Sequence, residues 1–254
     1  MSESIDLRRI LKSWPYDPEK ETRIVPGEDG RTILQVRTPL GIEQYEMDGR
    51  PDGARPYGKE SALEYHLERL EKAKVAGREA EFELGPRECG ELFSEGTLYY
   101  FRYARLFQLK EWERTVRDTA RNLRAFDLAH RYARREEDQQ FLEKWRPYIL
   151  RVNASAAAMV ELDHNAHQKA LNLLQEAIAK IEALPELEDE TFTFERDRSL
   201  NGLREMAAQI QRDRPLSELE QLEHQLRQAI ERQEFERAAR LRDRIRILKK
   251  QQVC

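Results

Sequence analysis

Residues able to do chemistry are scattered along this chain, and only a few groups approach a recognisable arrangement. Gly53-Ala-Arg-Pro-Tyr-Gly58-Lys59 has the glycine and lysine spacing of a phosphate-cradling loop. That chemistry also needs a Ser or Thr hydroxyl after the lysine to hold magnesium, and Glu60 stands there, repelling phosphate. Pro56 removes one further N–H from the cradle. The stretch therefore reads as a loop leading into a helix. His164 and His167, with Glu161 and Asp163 nearby, suggest a metal pair. Helical metal pairs use i,i+4 spacing, whereas these are three apart at an expected inter-helix turn. Neither Cys89 nor Cys254 has an adjacent histidine, and no Gly-x-Ser-x-Gly elbow occurs. No catalytic residue, cofactor site or metal ligand is expected, and the chain reads as a non-enzyme.

A basic group is more suggestive. Arg114, Arg117, Arg121, Arg124, Arg131 and Arg135 recur at three, four, three, seven and four residues. On one continuous helix they share a face about 100° wide. Arg102 and Arg105 precede them amid Tyr99, Tyr100, Phe101 and Tyr103, and arginine interleaved with aromatics suits a nucleic-acid groove. Glu111, Glu113, Asp118 and Asp127 lie within a turn or two and oppose that field. A salt-bridged face, an acidic-protein contact and a nucleic-acid contact all remain open for this row.

The elements that must position these groups are mainly α-helical. Of the 254 residues, 36% are charged and 39% apolar, and the mean hydropathy of −0.84 favours solubility. The net charge of −4 gives no global reason to expect nucleic acid. Two distant cysteines suit a reducing cytoplasm. The first residues lack a signal-peptide core, and nothing approaches the roughly 18 consecutive apolar residues of a membrane span. A cytoplasmic location and no membrane partner are expected.

Residues 1–57 differ in character from the rest of the chain. A short helical turn over Ile5–Leu11 is expected, then extended Trp14-Pro15-Tyr16-Asp17-Pro18. Turns at Glu28–Arg31 and Thr38–Gly41 separate three strand-like runs, predicting a small antiparallel β-meander that must pack on a helical body. Residues 58–212 read as that body, a helical-hairpin bundle. Leu63, Leu67, Leu70 and Ala73 share a face ending at Gly77, and Leu92, Tyr99, Tyr103 and Phe107 mark the next helix. Trp112, Val116, Ala120 and Leu123 begin another. Phe141, Trp145, Tyr148, Ile149 and Val152 continue, with Pro147 kinking or splitting that stretch. Ala170 to Ile181 and Leu200 to Ile210 give two more helices. Ala154 to Leu184 resembles a tetratricopeptide unit, with Ala158, Ala170, Leu174 and Ala177 at its small and apolar positions. A second copy over Tyr99–Leu123 carries Thr115 where alanine is usual, and a generic bundle is the alternative.

Residues 216–251 carry the clearest pattern. Leu219, Leu222, Leu226 and Ala229 or Ile230 form one apolar stripe; Ala238, Leu241, Ile245 and Leu248 form a second. Ser217 with Glu220 makes a capping box after Arg214-Pro215. Few polar residues separate the stripes, so two antiparallel helices are expected, with Phe235 plugging the end of the hairpin. The run Gln233-Glu-Phe-Glu-Arg-Ala-Ala-Arg-Leu-Arg-Asp-Arg-Ile245 resembles the UVR motif of the UvrB and UvrC excision-repair proteins, some Clp ATPases and a bacterial kinase adaptor. In those families it is a protein-docking hairpin, so the resemblance implies association in a bacterial cell and leaves chemistry open.

A hairpin this short cannot bury its own apolar surface. Leu222, Leu226, Ile230, Phe235, Leu241, Ile245 and Leu248 are expected to hold it together and offer a free flank, with Arg237, Arg240 and Arg244 along one side. The flank must meet the protein's own body, a second copy in a homodimer, or another protein. An adaptor is the reading preferred from sequence; the alternative is a nucleic-acid-associated repair accessory. The chain lacks the helicase motifs of UvrB, Gly41-Ile-Glu-Gln-Tyr45 is not the UvrC nuclease signature, and the zinc-binding cysteine pairs of the kinase adaptor are missing.

Overall fold

A computed structural model describes residues 6–214 and 218–251. A short helix, α1 (Arg8–Ser13), precedes strands β1 (Thr22–Pro26), β2 (Thr32–Thr38) and β3 (Gly41–Glu46). The strands form one antiparallel sheet in the order β1-β2-β3. Register places Ile24 opposite Leu34 and Leu34 opposite Tyr45. Period-two alternation therefore puts Leu34, Val36 and Tyr45 on one face, where they pack with Met47 and with Leu106 of the helical body. The expected meander is present, and it shares its core with the helices.

The remaining elements are α2 (Ala62–Val75), α3 (Pro86–Gln108), α4 (Trp112–Tyr132), α5 (Glu136–Gln140), α6 (Arg146–Asp163), α7 (His167–Glu182), α8 (Glu190–Asp213), α9 (Glu218–Glu231) and α10 (Phe235–Gln251). Their starts are marked by side chains. The Ser61 hydroxyl accepts from the Glu64 N–H at 3.2 Å, the Glu88 carboxylate from Gly85 at 2.8 Å, and Asp189 from Thr191 and Phe192. Several helices end alike. Gly77, Lys110 and Asn165 adopt φ of 69°, 62° and 58°, and the next N–H returns to a carbonyl five residues back. Arg78 reaches Ala73, Glu111 reaches Leu106 and Ala166 reaches Glu161, at 2.8–2.9 Å. These are Schellman ends, which satisfy orphan carbonyls while reversing the chain.

One expectation is narrowed here and one changes. The stretch around Phe141, expected to be kinked or split at Pro147, is split. It breaks into α5, a 3₁₀ turn over Glu143–Trp145, and α6, with Pro147 in the first turn of α6, where a missing N–H costs nothing. Helix α4 also stops at Tyr132, because Leu84 donates to Tyr132 and accepts from Arg134. Arg135 is thus the N-cap of α5 and does not continue the α4 row. One core gathers Leu63, Leu70, Leu92, Ala125 and Leu128 from α2, α3 and α4, with Leu84 from the segment before α3. In the α6–α7 pair, Ala158, Ala170, Leu174 and Ala177 are buried. The chain divides into two compact units, one up to Ala207 and one from Ala208.

Candidate protein-docking hairpin

Helices α9 and α10 are joined through Arg232, Gln233 and Glu234. Gln233 has φ 59°, its N–H donates to Ile230 at 3.0 Å, and Glu234 donates to Ala229 at 2.8 Å. This is a further Schellman end, here with glutamine where glycine fits best. The tight reversal sets the seam. Leu222, Ala229, Ala238 and Ile245 are buried, while Leu226, Leu241 and Leu248 are half-buried. Ser217 and its capping box lie outside the described residues, as does the side chain of Leu219.

Phe235 does not plug the hairpin; it is 69% exposed. The buried residues nearest the turn are Ala229 and Ala238, so small side chains form the seam there. Ile230, next to Ala229, faces away and is 54% exposed. The two large apolar side chains nearest the turn are thus on the outside. Elsewhere on α10, Arg237 pairs with Glu234 at 3.0 Å, the Arg240 guanidinium donates to the Glu236 carbonyl at 3.4 Å, and Arg242 pairs with Asp243 at 3.1 Å. Arg237, Arg240 and Arg244 are exposed to solvent on the side of α10 away from Phe235.

The arginine row of the body has acidic company throughout. Arg114 meets Glu111 at 2.6 Å, Arg124 meets Glu64 at 3.2 Å, and Arg131 meets Glu79 at 3.1 Å. Arg135 holds Asp138 at 2.7 Å. Arg117 reaches Asp48 at 2.7 Å and the Met47 carbonyl at 2.5 Å, and Arg121 is buried against Glu95. Each of the six guanidiniums is therefore matched by a carboxylate of the same chain. The glycine-lysine stretch is a loop: Lys59 binds Glu68 at 2.5 Å, and a single 3₁₀ turn leads to the Ser61 cap. His164 and His167 flank the Asn165 turn, with the His167 ring 3.1 Å from the Asn165 carbonyl. Burial pushes the Cys89 thiol up to about 11, which suits an inert core residue.

Residues 217–251 match the family model of the UvrB/uvrC motif, UVR. The match covers a minor part of the chain, and no curated protein and no solved structure matches it. Among the described residues, no helix is long and apolar enough to cross a membrane.

Proposed function

We propose that this chain is a non-enzymatic adaptor of the bacterial cytoplasm, which docks another protein through its UVR hairpin. The observation that carries the reading is the outward placement of Ile230 and Phe235. Fully burying one such side chain stabilises by about 1.5–3 kcal/mol. Two half-exposed ones therefore supply only a few kcal/mol, so the partner must also cover half-buried Leu226, Leu241 and Leu248. The arginines add orientation and on-rate more than affinity. Two hairpins pairing as a four-helix bundle would cover the same flank, which makes a second copy one candidate partner.

Affinity capture from the native cell, with the full chain and with residues 216–254 removed, tests the reading. Partners lost on removal should also be lost with Leu226→Asp or Phe235→Asp. Full retention by a folded Leu226→Asp variant removes the proposal.

The UVR match also supports a second reading, an accessory to a DNA-repair assembly. A salt titration of DNA and RNA binding separates the two. Phosphate contacts give affinity that falls steeply with salt, whereas a protein adaptor gives no binding to compare.

A further inference from the structure

His66 on α2 is 0% exposed, and Arg69 Nη1 lies 3.0 Å from its Nδ1. A guanidinium can only donate, so Nδ1 accepts and the ring proton sits on Nε2, which is buried and has no partner. The charged groups facing the ring are Arg69 on α2 and Glu88 and Glu91 on α3. The phenol rings of Tyr65 on α2 and Tyr57 in the preceding loop pack against it edge-on, with centroids at 5.2 and 6.2 Å. Both carboxylates are engaged. Glu88 accepts from the Gly85 N–H at 2.8 Å and from Arg69, and Glu91 accepts from the Tyr57 hydroxyl at 2.5 Å. Tyr57 also stacks on Tyr65 with ring centroids 4.0 Å apart. It is half-exposed and takes φ 56°, a left-handed conformation that disfavours a bulky residue. The loop over residues 55–59 is thus held closed on a neutral imidazole through a strained residue.

We propose that His66 is an acid-sensitive latch: a proton on Nδ1 turns the ring from an acceptor for Arg69 into a second cation beside it, and the loop through Tyr57 opens. The imidazolium has two donors, one aimed at the Arg69 guanidinium and one with no partner. A buried charge needs an opposite charge, and the carboxylates that face it are Glu88 and Glu91. Taking Glu88 would unfasten the cap at the start of α3. Taking Glu91 only releases the Tyr57 hydroxyl, and the left-handed backbone relaxes as Tyr57 leaves, so the loop yields first. Burial holds the His66 pKa below the ordinary histidine value; Glu88 and Glu91 oppose that and Arg69 adds to it. With the loop open the ring ionises near its ordinary value of about 6.5. A base whose pKa is depressed in the closed form stabilises that form fully above about 6.5, and the contribution is lost as pH falls from there through the closed-form value.

Nuclear magnetic resonance of the full-length chain, following the histidine rings and amide exchange, tests this. The His66 ring should titrate below about 6.5. The Gly58 and Lys59 amides donate to the Arg55 and Pro56 carbonyls. Their protection, corrected for the intrinsic pH dependence of exchange, should fall at least about tenfold between about pH 7 and pH 5, with α6 and α7 still protected. His66→Gln keeps an acceptor for Arg69 and takes no proton, so its loop should stay protected over the same range. Should that variant fail to fold, Tyr57→Phe decides: it frees Glu91 for the imidazolium, so the His66 pKa should rise. A His66→Gln chain whose loop loses protection in acid as the wild type does overturns the proposal, as does an unchanged His66 pKa in Tyr57→Phe. A wild-type loop that stays protected in acid also overturns it, and so does a loss that spreads equally through α6 and α7.

Discussion

The guanidinium of Arg102 lies flat against the Asp118 carboxylate, with Nε 2.6 Å from Oδ2 and Nη2 2.8 Å from Oδ1, both side chains being 1% exposed. The remaining nitrogen, Nη1, donates to the Glu46 carbonyl at 2.7 Å and the Gly49 carbonyl at 2.9 Å. One buried ion pair thus joins α3 to α4 and fastens both to the turn after β3. Removing one partner of such a pair strands a buried charge, at a cost of about 3–5 kcal/mol. Asp118→Asn should therefore lower unfolding free energy by that amount in urea, with sheet and helices lost in one transition. A loss under about 1 kcal/mol, or a sheet that melts separately, contradicts this role.

Gln233 holds a left-handed conformation that costs an L-residue roughly 1–2 kcal/mol and glycine almost nothing. Gln233→Gly should stabilise the hairpin by about 1 kcal/mol, partly offset by the greater freedom of glycine in the unfolded chain. Amide hydrogen exchange in α9 and α10 reports it as slower exchange; unchanged or faster exchange counts against the turn geometry.

Stability and docking should separate within the hairpin. Ile245 lies in the seam, so Ile245→Ala should cost about 2–4 kcal/mol of local stability. Phe235 lies outside it, and Phe235→Ala should change exchange protection by less than about 0.5 kcal/mol while reducing partner capture. Equal effects of both variants on protection would place Phe235 in the seam after all.

Burial pushes the Tyr99 and Tyr148 phenols up to about 12 and the Cys89 thiol up to about 11. Unfolded, these groups ionise near about 10 and 8.5. Above those values the unfolded chain releases protons that the folded chain keeps. The associated stability is complete below the unfolded values and drains as pH rises through the folded ones. For Tyr99 alone the rise from about 10 to about 12 corresponds to about 2–3 kcal/mol. The urea midpoint should fall between about pH 9 and pH 11.5, and tyrosinate absorbance should rise with unfolding rather than before it.

The helices and the meander were legible because their apolar periods, 3.6 and 2, are carried by local residues such as Leu63, Leu67 and Leu70 or Leu34 and Val36. Breaks in the apolar period mark the reversals near His164 and between the two C-terminal stripes, but the left-handed residue that makes each reversal is legible only where it is glycine. Gly77 shows itself, whereas Lys110, Asn165 and Gln233 reach the same conformation without that signature. Phe235 misled because a large apolar residue beside a turn suggests a plug, yet the alanines at 229 and 238 close the seam first. Arg102 reads as part of an arginine-aromatic group and Asp118 as an acid opposing the arginine row; their pairing goes unread because it joins two helices and a strand turn far apart in sequence.

The grip of Arg102 on the Glu46 and Gly49 carbonyls has a consequence for the newborn protein. Its sheet leaves the ribosome first, but the clasp that finishes it must wait for Asp118, whose codon is read about 70 residues later. At roughly 5–20 residues per second, that delay is on the order of 4–14 s. Through it the strands carry an unfinished core with Leu34, Val36 and Tyr45 uncovered, so nascent chains halted in this window are where ribosome-associated chaperones should be found bound.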